Sequence, residues 1–77
     1  MADIQCTLTK DSILDNLTKG LGYEKRARDL CTALIPLVSR EEDKAALRKI
    51  VSDEERHIKI TERLMEIVRT DYQGEHK

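Results

Sequence analysis

The chain has 77 residues, 38% of them charged and only 3% aromatic, with 14 Lys and Arg set against 15 Asp and Glu for a net charge of −1. That balance, with both signs alternating along the chain, argues against a nucleic-acid surface, and no apolar run approaches the ~20 residues of a membrane span. One domain is the most that this length supports, and a chain without Phe or Trp has little with which to fill a monomeric core, so a partner is expected.

Cys6 and Cys31 form no CxxC pair and read as reduced thiols rather than a disulfide framework or zinc knuckle. The first residues lack the charged-then-apolar pattern of a secretory leader. The expected location is the cytoplasm.

The first periodic segment opens near Thr9 and Asp11, whose side-chain oxygens suit an N-cap, with Asp15 adding negative charge in an early turn. Apolar residues then recur at Leu14, Leu17, Leu21, Ala27, Cys31, Leu34 and Val38, close to a 3.6-residue period. The spacing predicts a helix over 10–38. Gly20 and Gly22 weaken it by about 1 kcal/mol each relative to Ala and are expected to mark a kink or a close approach to another helix. Pro36 is expected to bend or end it.

Ser39 followed three residues later by Glu42 is a capping-box pattern and predicts a second helix over 40–70. Its seam runs Leu47, Ile50, Glu54, His57, Thr61, Leu64 and Val68, with Val51, Ile58 and Met65 widening the stripe. Residues 71–77 read as a frayed tail. The short connection predicts an antiparallel two-helix hairpin. Each helix would be about 42–45 Å long. No third core element is present to cover both stripes, so the hairpin is expected to dimerise into a four-helix bundle.

Three ionisable residues occupy this seam. Glu54 and His57 are neighbours at i,i+3 on the second helix, and Glu24 sits among Leu17, Leu21 and Cys31 on the first. A buried bare carboxylate costs several kcal/mol unless it is paired or binds a metal. Glu24 and Glu54 each lie about 15 residues from the turn at Ser39, so both stand roughly 22 Å from it and meet at one height. A two-fold axis at that level would bring four carboxylates and two imidazoles together. Carboxylate plus imidazole without thiolate suits Fe or Mn, and this set matches a di-iron carboxylate site.

The plainer alternative is a helical dimer in which Glu24 pairs with His57 or Arg28. Glu55, Asp53, Glu62 and Glu66 read as a solvated face, Glu62 being the one considered as an accessory ion contact. Tyr23 is a candidate for lining the site, although an interface tyrosine is the commoner role. Cys31 reads as a small buried hydrophobe, and His76 belongs to the tail.

These residues resemble a family. "YEKRARDLCTAL", followed across the turn by "LRKIVSDEERHIKITERLMEIV", is similar to the ferritin-like superfamily, and especially to rubrerythrin-type halves, over roughly residues 14–68. One such half is present here, as in the single-hairpin, encapsulated-ferritin kind. The resemblance implies a ferroxidase centre assembled between two subunits, with Glu24 and His57 as terminal ligands and Glu54 between the irons. It also implies a homodimer at least, rings of dimers, and a place inside an encapsulin shell. Two features depart from the pattern: there is no rubredoxin-like CxxC segment, and "DYQGEHK" does not look like an apolar cargo peptide. The expected activity is oxidation of Fe(II) by O2 or peroxide at a di-iron centre in iron handling or storage, with Mn as the alternative metal. The alternative is a non-catalytic helical dimerisation or partner-binding module.

Overall fold

The computed structural model describes residues 9–74. Cys6 and His76, both considered above, lie outside the described residues, as does the end of the tail. Helix α1 spans Lys10–Leu34, a 3-10 turn spans Ile35–Leu37, and helix α2 spans Glu41–Asp71, with no strand among the described residues. Among the described residues, no helix is long and apolar enough to cross a membrane.

Thr9 caps α1. The Ser12 backbone N–H donates to Thr9 Oγ1 at 3.1 Å, and the Thr9 N–H donates to Ser12 Oγ at 3.2 Å. This reciprocal pair is a capping box in which Ser takes the role usually filled by Glu or Gln. The helix runs unbroken through both glycines. Neither makes a close approach, because a Cβ placed on Gly20 or Gly22 would meet nothing within 4 Å.

Pro36 ends α1 as expected, and slightly earlier than the 10–38 reading. Proline has no N–H for the helical ladder and its ring crowds the carbonyl four residues earlier, while Ile35 before it keeps α geometry (φ −54°, ψ −48°). The chain accordingly tightens into a 3-10 turn after Leu34.

The expected capping box at Ser39 does not form. Arg40 is the N-cap of α2 and makes no side-chain cap bond. Its carbonyl accepts from the Asp43 and Lys44 N–H groups, while its guanidinium pairs with Glu42. With Arg40 as N-cap, Glu42 stands at the second helical position rather than the third, where a box would need it. Glu41, Glu42 and Asp43 in the first turn still complement the helix dipole.

The two helices pack antiparallel. Lys10 Nζ, at the start of α1, donates to the Arg69 carbonyl at 3.3 Å near the end of α2. Midway, Thr61 Oγ1 donates to Glu24 Oε1 at 3.1 Å. The thinnest dimension of the molecule is 15 Å, little more than the ~10–12 Å diameter of one helix. This is a single layer.

A single layer buries little. Among the described residues only Ile58, Met65 and Val68 are buried, and no side chain is fully enclosed. The stripe of α2 is wider than α1 can cover. At about 100° per residue, Ile50, His57 and Leu64 stand roughly 70–110° round from the Ile58–Met65 line. On α1, Leu34, Tyr23 and Leu30 stand roughly 80–120° round from the Leu17–Glu24–Cys31 line, in the same rotational sense. In an antiparallel pair, equal senses open to the same side. One face therefore carries Tyr23, Leu30, Leu34, Ile50 and Leu64, with Ile60 and Ile67 further round, and all of these are exposed.

Candidate metal centre

Glu24, Glu54 and His57 converge midway along the hairpin. Each offers a ligand atom (a carboxylate oxygen or an imidazole nitrogen), and these atoms all lie within 4.8 Å of one another. Two helices are needed to make the group. The i,i+3 spacing places Glu54 and His57 together on α2, and the antiparallel register brings Glu24 of α1 to their height.

The three do not share one environment. Glu24 and Glu54 are half-buried and His57 is exposed. The seam reading had His57 on the buried face together with Leu47 and Val68. In the single hairpin the side turned to α1 is centred on Ile58 and Met65 instead, so His57 sits on the open edge beside Ile50 and Leu64. The physical cause is the width of the stripe, since one neighbour can bury only part of it.

Among the described residues, Glu24 has one hydrogen-bond partner, the Thr61 hydroxyl. No Lys or Arg among the described residues pairs with Glu24 or Glu54. The Arg28 side chain turns instead to Asp29, with Nε 2.9 Å from Oδ1. Two carboxylates and an imidazole thus face one another with no protein cation between them. Like charges at such separations repel, so a cation is the natural complement.

The donor set fits a hard or borderline metal ion. Ligands of an octahedral ion with bonds of ~2.1 Å are about 3.0 Å apart when adjacent and about 4.2 Å when opposite, so three ligand atoms within 4.8 Å of one another are close enough to draw in on one ion by side-chain rotation. Carboxylate and imidazole without thiolate are the ligands of Fe and Mn sites. Three protein ligands leave such an ion short of its usual coordination, and the open side of the group is the exposed face that carries His57.

The other candidates fall away from the group. Glu62 is exposed and stands round the opposite flank of α2 from His57. Tyr23 is 64% exposed and lies on the open face, with the Arg26 guanidinium 5.2 Å from its ring centroid. Glu55 and Glu66 are exposed as read, and Glu66 pairs with Arg69 at 3.6 Å. Asp53 is less solvated than expected: its side chain is 34% exposed and is flanked by Lys49 and Arg56, each at 3.6 Å. Cys31 is a free, half-buried thiol. Sequence reasoning placed Thr61 on the seam without giving it a role. Its polar character among apolar neighbours was the only signal available.

Compared with protein-family models, curated proteins and solved structures, the chain matches none. Any functional reading therefore rests on the Glu24, Glu54 and His57 geometry and on the open face beside it.

Proposed function

We propose that two copies of this chain associate through the open face to form a ferritin-like four-helix bundle, and that Glu24, Glu54 and His57 of both copies hold Fe(II) as a substrate for oxidation by O2 or peroxide. The observation that carries this reading is the convergence of the three ligand atoms within 4.8 Å, with no Lys or Arg paired to either carboxylate. The exposed apolar residues around His57 supply the second support. A two-fold axis through that face at the height of His57 would bring the two ligand groups together, while residues away from the axis meet in reciprocal pairs, i on j and j on i; the ligand set is doubled and Ile50, Leu64, Tyr23 and Leu30 are covered together.

In this reading iron supplies the electrons, one from each Fe(II). The protein's part is to bind and orient. Glu54, half-buried beside His57, offers oxygens toward the seam, while Glu24 supplies a carboxylate braced from α2. Apolar side chains at the rim exclude water once the second copy docks, which strengthens every charge interaction inside. Mn(II) suits the same ligands, and metal supply rather than donor type separates the two. A bundle of this size encloses no storage cavity, so oxidised iron would pass to a larger assembly such as a ring of dimers or a shell.

The exposed apolar face also favours a second reading, a non-catalytic helical dimerisation module. The double substitution Glu54→Ala with His57→Ala separates the two. With the unsubstituted chain, anaerobic Fe(II) followed by air should give saturable growth of near-ultraviolet Fe(III) absorbance. The double variant should show only the slow background of Fe(II) in buffer. Equal rates from both proteins would refute the iron reading and leave the association module.

A further inference from the structure

Four threonines lie within the helices, and three of them behave alike. Thr18, Thr32 and Thr70 each turn the hydroxyl back on the carbonyl four residues earlier, at 2.7, 2.8 and 2.8 Å. This is the ordinary use of a mid-helix hydroxyl. Thr61 departs from it. Its Oγ1 donates 3.1 Å across the helix pair to Glu24 Oε1, in a half-buried setting.

A hydroxyl has one proton to donate, so donation to Glu24 forgoes the local helix bond. In return it ties a glutamate on α1 to the helix that carries both other candidate ligands. Glu54, His57 and Thr61 are spaced i, i+3 and i+7, which places them along one flank of α2. Glu24 would otherwise turn about its side-chain torsions. With Oε1 held, the swing of its carboxylate is restricted, and its second oxygen has no partner among the described residues. Hydrogen bonds of this kind orient metal ligands, and their loss typically weakens metal binding about 10–100-fold.

We infer that Thr61 is the positioning residue of this centre, holding Glu24 in the orientation that receives a divalent cation jointly with Glu54 and His57. The inference rests on the metal reading above, and its test distinguishes the two. Co(II), which reports its ligand field by visible absorption, is the probe, titrated into the full chain and into Thr61→Val, Thr61→Ser and the Glu54→Ala/His57→Ala double variant. Thr61→Val keeps the shape and removes the hydroxyl; Thr61→Ser keeps the hydroxyl. The expected result is a roughly 10–100-fold loss of Co(II) affinity in Thr61→Val with an altered visible band, and recovery of both in Thr61→Ser.

Wild-type affinity and spectrum in a folded Thr61→Val would overturn the role of Thr61 and leave the metal site standing. If the unsubstituted chain binds no more Co(II) than the double variant, the metal reading itself falls, and this inference with it. Far-ultraviolet circular dichroism checks that each variant is helical. Thr61→Ala replaces Thr61→Val if the valine variant does not fold. Failure of both to fold would assign Thr61 to helix packing and overturn the positioning role.

Discussion

Glu54 is a half-buried carboxylate within reach of a second carboxylate and an imidazole, and no Lys or Arg among the described residues pairs with it. Removing a charge from such a place relieves repulsion rather than breaking a bond. Glu54→Gln is therefore expected to leave the metal-free protein as stable as before or slightly more stable, and to lack the rise in melting temperature that the metal reading predicts for the unsubstituted chain with Fe(II) or Co(II). Thermal melts with and without metal check both halves. A metal-free variant destabilised by more than about 1 kcal/mol would mean that Glu54 holds part of the fold together. At this scale, residue types and spacing made the three candidate ligands legible. The direction of the Thr61 hydroxyl was not legible, because a mid-helix threonine has its own backbone as a nearby acceptor and only the packed partner helix decides between the two.

The helices themselves followed from local rules. Thr9 at the start of α1, Pro36 at its end and the apolar period within were sufficient to place both elements within a few residues. The exceptions are local. The second helix starts one residue later than the Ser39 box requires, with Arg40 as its N-cap, so Asp43 rather than Glu42 stands at the third helical position and the box does not form. Gly20 and Gly22 looked like sites of close approach, since glycine is costly in a helix without a packing reason. The structure leaves open space at both. It follows that Gly22→Ala should stabilise the protein by about 1 kcal/mol through helix propensity and a less flexible unfolded chain, measured by chemical denaturation. A loss of similar size would reveal a neighbour at Gly22 that the single hairpin does not contain.

At the scale of the whole molecule, three buried side chains among the described residues and a layer one helix thick leave most of the apolar stripe uncovered. The width of the α2 stripe was visible in the sequence as two sets of apolar positions. Which set would face α1 was not, because a 3.6-residue period fixes spacing but not rotation about the helix axis. The hairpin turned Ile58 and Met65 inward and left Ile50, His57 and Leu64 at the open edge, beside Leu30 at 62% exposure. If a second copy covers this face, a metal held by both chains stabilises the pair by mass action. The most direct measurement is sedimentation equilibrium of the chain with and without anaerobic Fe(II), read together with bound iron per chain, with Leu30→Arg as the control that charges the open face. The account predicts saturable uptake near one iron per chain, a shift of the unsubstituted protein toward dimers or larger species, and a much weaker shift in the variant. No stoichiometric uptake, with an association state indifferent to iron, would contradict it.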